Sequence, residues 1–160
     1  MSDLPYRLNV GAVLFSRDGK VLVAHRIGMP IKDGPDGGWQ LPQGGIDQGE
    51  DPADAVLREL AEEIGTANAE IVGEHAEWLT YELPPHLVGV AWGGRFRGQS
   101  QKWFALRFRG VDAEVRLDAD DHPEFDAWRW VDLSHLPALA VAFKRPVYEV
   151  LAQSFRRFAV

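Results

Sequence analysis

The chain has 160 residues, 46% of them hydrophobic, which suits one domain, 1–160, with a sizeable core and excludes a disordered polypeptide. The formal net charge of −7 argues against a protein that coats nucleic acid through many phosphate contacts, although it leaves room for a local phosphate grip by a few Arg or Lys residues. There is no cysteine, no apolar run long enough to span a bilayer and no signal-peptide core at the start, so disulfides and thiolate metal sites are excluded and a cytoplasmic protein is expected, a monomer or small oligomer with no membrane partner.

In chain order, Tyr6 to Phe15 reads as a strand, buried on both faces in its second half. Arg17-Asp18-Gly19-Lys20 is a turn, and Val21 to Arg26 is the return strand of a hairpin. A Gly/Pro-rich loop, Ile27 to Gly38, leads to a short strand at Trp39 to Leu41. A helix follows, and then Ala69 to Leu83 is expected to be extended, ending at Pro84-Pro85. A second hairpin is expected from Val88–Trp92 and Gln101–Phe108. Asp118 to Pro123 is a loop, Phe125 to Val131 a strand, and Pro146 opens a helix with Val147, Leu151 and Phe155 on one side. The pattern suits an α/β (α+β) chain with a mixed sheet between helices.

The first helix carries the chemistry. Asp51 can cap it, Pro52 fits its first position, and Gly65 can close it in a left-handed conformation. Val56, Leu57, Leu60 and Ile64 fall on one side, and Glu59, Glu62 and Glu63 fall nearly opposite in an arc about 100° wide. Three carboxylates that close repel, and oxygen-only ligands of this kind suit a hard divalent ion, Mg²⁺ or Mn²⁺. An isolated Glu-Glu pair would read as a solvated face; the residues around it argue otherwise.

From Gly44, five residues reach Glu50, seven more reach Arg58-Glu59-Leu60, and Ala61 precedes Glu62-Glu63, Ile64 and Gly65. This frame resembles the Nudix box, departing from it only at its last position, where Thr66 replaces an aliphatic residue. The segments around Tyr6–Gly11, Gly98–Phe104, Pro123–Val131 and Ala142–Tyr148 are similar to those of the bacterial RNA pyrophosphohydrolases and dinucleoside polyphosphate hydrolases within that superfamily. The loop between Arg26 and Trp39 is longer than that group leads one to expect, and the sequence leaves open whether it covers the site.

The resemblance implies a Nudix fold and a Mg²⁺-dependent hydrolase, with Mn²⁺ as the other candidate ion. It implies Glu59, Glu62, Glu63 and Glu124 as metal ligands beside the close-approaching Gly44, and Glu59, Glu63 or Glu124 as the groups working on water, with Arg58 orienting them. Glu50 would hold the loop to the helix. Arg7, Arg26 and Lys144 would grip phosphates, Gln40 and Gln43 would add hydrogen bonds, and Phe143 would stack on a base. Gln101 and Lys102 stay open, Trp103, Trp128 and Trp130 read as core, and the five histidines have no paired ligand spacing. The expected reaction cuts a phosphoanhydride bond, either at a 5′ tri- or diphosphate RNA end, leaving a monophosphate, or in a dinucleoside polyphosphate such as diadenosine tetraphosphate. The alternatives are a house-cleaning pyrophosphatase for free nucleoside triphosphates or nucleotide sugars, and a non-catalytic ligand sensor, which would be expected to have lost metal carboxylates.

Overall fold

Val10 to Phe15 is the most deeply buried run of the first strand, because it is covered from above and below. In chain order the computed structural model, which describes residues 3–160, has β1 (Tyr6–Phe15), β2 (Val21–Arg26), β3 (Trp39–Gln40), β4 (Gln43–Gly45), α1 (Pro52–Ile64), β5 (Ala69–Glu74), β6 (Leu79–Glu82), β7 (Gly98–Phe108), β8 (Phe125–Val131), α2 (Leu136–Leu139) and α3 (Arg145–Ser154). The sheet runs β3-β2-β1-β7-β5, with β4 also on β1, β6 on β7 and β8 on β2. Strands β1 and β7 are parallel, in unbroken register from Tyr6 opposite Gly98 to Phe15 opposite Arg107, and their other pairings are antiparallel.

Strand periodicity then divides the core in two. Val10, Ala12 and Leu14, with Phe104, Leu106 and Phe108, pack on Val56, Leu60 and Ile64 of α1. Val13 and Phe15, with Trp103 and Ala105, pack on Leu136 of α2, on Val147, Tyr148 and Leu151 of α3 and on Phe155 beyond it. The expected mixed sheet between helices is thus the architecture found. Helix α1 has the caps its sequence implies: Asp51 accepts the Ala53 N–H at 2.8 Å, and Gly65, at φ 76°, donates its own N–H to Ala61. Among the described residues no helix is long and apolar enough to cross a membrane.

Three stretches differ from expectation. The strand expected at Trp39–Leu41 ends at Gln40, because Leu41 turns its N–H to the buried Tyr148 hydroxyl (3.0 Å) and Pro42 has none to offer. Ala69–Leu83 is two strands, not one: residues 75–78 stand opposite only 102 and 103 of β7, so the surplus bulges out. Val88–Trp92 is not a strand. The Pro84 carbonyl collects the N–H groups of Leu87 and Val88, and Gly89, Gly93 and Gly94 all have positive φ, so this stretch coils and β6 becomes the partner of β7.

Of the large aromatics expected in the core, Trp103 is fully buried, whereas Trp128 and Trp130 are half-buried. Trp103 lies where Gly11 has no side chain: a Cβ on Gly11 would stand 2.3 Å from the indole ring. Gly11→Ala should therefore lower unfolding stability by about 1–3 kcal/mol through overpacking, measured as a drop in urea midpoint at unchanged m-value. A variant as stable as the parent would show that the indole can move aside.

Candidate active site

Helix α1 points its acidic face at the loop that precedes it. Arg58 reaches back and holds that loop through a two-pronged bond to Glu50 (Nε and Nη2, 2.9 Å each) and through Nη2 to the Gly45 carbonyl at 2.9 Å. Its Nη1 meets Glu59 at 2.8 Å and the more exposed Glu62 at 3.3 Å. Arg58 is therefore a clamp that aims Glu59, and its satisfied guanidinium faces the loop. The Arg58 bond and the Asp47 N–H hold the Glu50 carboxyl down at about 2.

The close approach expected at Gly44 has a steric form. A Cβ there would stand 1.9 Å from the Glu59 carboxyl carbon, and one on Gly45 would stand 2.4 Å from Arg7 Nη2. Both glycines are thus the absence of a side chain where a functional group must lie. Glu63 is buried and accepts the Gln43 N–H at 3.0 Å. Burial pushes the Glu59 carboxyl up to about 7, against the pull of Arg58 and with a further push from Glu62 and Glu124. Burial, Glu59 and Glu124 together raise Glu63 well above the usual carboxylate range.

Arg7, Arg26, Gln40, Gln43, Gly44, Glu59, Glu62, Glu124, Phe143 and Lys144 all line one cavity of about 720 Å³. Glu63 is buried behind the Gln43 backbone, and Arg58 stands behind Glu59 on the loop side. Lys144 is almost fully buried, with Nζ 5.7 Å from the centre of the Tyr81 ring, and Phe143 packs on the same ring at 5.5 Å. Burial brings the Lys144 ammonium down to about 8, Arg26 adds to that, and Glu63 opposes it. Asp120 and Asp121 are exposed, as expected of solvated loop charges.

The cavity floor joins Arg7 to Asn9 and Gln99, which the sequence left unassigned, with Gln101, which it left open, bonded beneath them. Because β1 and β7 are in register, Arg7 pairs with Gln99 and Asn9 with Gln101, all on the α3 side of the sheet. The Trp103 indole N–H can only donate, so it fixes Gln101 with its oxygen inward (3.2 Å). The Gln101 amide then donates to Asn9 (2.9 Å) and Gln43 (2.8 Å). Arg7 likewise orients Gln99 (2.7 Å), whose amide donates to the Tyr81 hydroxyl. The signal was the glutamine at alternate positions, 99 and 101, just before the apolar run Trp103–Leu106. Lys102 has the opposite parity and bonds the His75 carbonyl at 2.8 Å, on the other side of β7.

The Ile27–Gly38 loop does not cover the site. Among the described residues only Ile27 of that loop lines the cavity. Buried His25 holds the loop at Pro30, and Asp33 pairs with Arg129 of β8 at 2.7 Å. Asp33 instead borders a larger cleft of about 1080 Å³, where it and Lys20 are neutralised by ion pairs to Arg129 and Asp132. Size therefore does not select the site; the unbalanced carboxylates and cations do.

Among the described residues no three acidic or histidine side chains converge into a ready-made metal cage. The donor set still fits a hard divalent cation, because burial and the nearby Glu124 both add to the charge cost of Glu59 and Glu63, and all three offer only oxygen. That cost has a testable sign. A carboxyl whose folded pKa is raised binds its proton more tightly in the folded state, so its contribution to stability is lost as pH climbs from 4.5 to about 7. In chelator, the melting temperature of Glu59→Gln minus that of the parent should grow across that interval. A difference that stays flat with pH would mean that neither burial nor crowding penalises the Glu59 charge.

A search among known proteins matches the NUDIX domain family over residues 5–151. The chain is 63% identical over 158 residues to a protein of Acidiphilium cryptum (strain JF-5) named RNA pyrophosphohydrolase, covering 98% of this chain and 93% of that one. It is 58% identical over 160 residues to one of the same name from Gluconacetobacter diazotrophicus, covering 99% and 96%. Among solved structures it overlays the E. coli dihydroneopterin triphosphate pyrophosphohydrolase with a TM-score of 0.65, at 20% identity, over 94% of this chain and 99% of that one. That overlay speaks for the fold, and the sequence relatives with the domain match speak for descent: the chain belongs to the NUDIX domain family.

Proposed function

We propose that this chain is a divalent-metal-dependent pyrophosphohydrolase that converts a 5′ tri- or diphosphate RNA end to a monophosphate, with dinucleoside polyphosphates as overlapping substrates. The observation that carries this reading is a single cavity lined both by the carboxylates Glu59, Glu62 and Glu124 and by the cations Arg7, Arg26 and Lys144. A phosphoanhydride is polyanionic, so its hydrolysis needs charge neutralisation, a placed water and a group to take a proton. The names of the close relatives favour the RNA end.

In this reading Glu59, Glu63 and Glu124 would hold the cation, Mg²⁺ or Mn²⁺, and Glu62 and the Gly44 carbonyl would be the further oxygen donors. The bound ion shields the phosphates and makes its water more acidic. Arg7, Arg26 and Lys144 grip the non-bridging oxygens, Gln40 and Gln43 set the chain of phosphates, and Phe143 on Tyr81 offers a flat apolar face to a base. Water oxygen bonds to phosphorus, the P–O–P link breaks, pyrophosphate or phosphate departs, and a site carboxylate takes the proton. The net charge of −7 restricts contact to the RNA end, and we place the enzyme in the cytoplasm with its nucleotide substrates.

Glu63→Gln should lower turnover with Mg²⁺ at least ~10²-fold while the fold is retained. Undiminished turnover would remove Glu63 from the metal site. The kcat/KM profile should fall on the alkaline side with an apparent pKa near 8, as Lys144 loses its proton, and Lys144→Arg should move that limb upward. A limb that stays in place would free Lys144 of this role. Comparing kcat/KM for triphosphorylated RNA, diadenosine polyphosphates and free nucleotides decides between the RNA reading and a house-cleaning enzyme. A ligand sensor would turn over none of them.

A further inference from the structure

Trp92 is the one non-glycine residue with positive φ among the described residues (φ 50°, ψ 37°). A bulky side chain rarely adopts that conformation, and neighbouring contacts must hold it there. Gly93 and Gly94 follow with φ 68° and 76°, and the whole turn hangs between β6 and β7. Its stem is fixed: Leu83 donates to the Arg97 carbonyl at 2.9 Å, and the Arg97 N–H donates to Pro5 at 3.0 Å. The chain thus spends strain to place one indole. That indole lines the same cavity as the carboxylates and lies 5.5 Å from the Arg7 guanidinium carbon, face toward the cation.

Arg7 is held on three sides. Gln99 accepts from Nη1 at 2.7 Å, bare Gly45 leaves room for Nη2, and Trp92 supplies the third wall. Phe96 meets the Trp92 ring edge-on at 6.2 Å and so fixes its tilt. A guanidinium over an aromatic face keeps its hydrogen-bond edge free, so it can still fork onto a phosphate. We propose that Trp92 is a positioning residue for the reaction: the strained turn presents its indole face to Arg7 and presets that guanidinium for the polyphosphate. The proposal rests on the reading of Arg7 as a phosphate contact.

The test compares Trp92→Leu, which keeps apolar bulk, with Trp92→Phe, which keeps a ring. Tripolyphosphate binding by calorimetry requires no turnover, so it stands apart from the hydrolase reading. KM and kcat for triphosphorylated RNA are measured beside it. Trp92→Leu should weaken tripolyphosphate binding and raise KM by about tenfold with kcat within about threefold, and Trp92→Phe should restore most of the loss. In an Arg7→Met background the Leu exchange should add nothing, because the group it positions is gone. Parental binding by Trp92→Leu, failure of Phe to restore it, or equal effects of Leu with and without Arg7 would each overturn the proposal. Parental chain that binds tripolyphosphate with this Trp92 dependence but hydrolyses no substrate would leave the inference standing and remove the function.

Discussion

The parallel pairing of β1 with β7 is the constraint on which everything else rests. A parallel ladder has one register, and here that register decides which side chains share a face. One face is apolar enough to seat α1. The other is apolar under α3 and turns polar toward the N-terminal ends of the two strands, where Arg7, Asn9, Gln99 and Gln101 form a floor. A slip of one residue would send Arg7 under α1 and bring the apolar face into the cavity. Binding chemistry and core packing are therefore one alternation read at two ends of the same strands.

Charge is arranged across this floor rather than balanced within it. Burial, reinforced by neighbouring carboxylates, makes two carboxyls of α1 hold protons more tightly than usual, and burial makes Lys144 hold its proton less tightly. Each group is in a state that a divalent cation and a polyphosphate would relieve. The Arg58 clamp offsets this imbalance only in part, since its pull on Glu59 is outweighed by burial and its firmest hold is on Glu50. It converts a flexible loop into a fixed wall, which is why Glu59 can lie against Gly44.

The local parts of this site were legible in the sequence. The caps of α1, the face shared by its glutamates and the glycine-to-glutamate spacing all lie within about two dozen residues, where helical geometry alone sets the positions. What lay hidden is non-local. Val88–Trp92 reads as a strand because its residues are apolar and β-forming, yet Pro84 and three positive-φ glycines coil it. That error concealed Trp92. Gln101 and Lys102 looked equivalent because they adjoin, and only the partner strand decides that one supports Asn9 and Gln43 beneath the cavity and the other does not. The direction of the Ile27–Gly38 loop is set by Arg129, far along the chain.

Glu59 and Glu63 are held by different kinds of donor. Glu59 depends on a side chain, Arg58, and any exchange there releases it. Glu63 depends on the backbone N–H of Gln43, which every residue type but proline supplies. Drift at position 43 can therefore retune what the amide touches in the cavity without loosening Glu63. On the proposed function, substrate preference can change at that position while both carboxylates stay where they are.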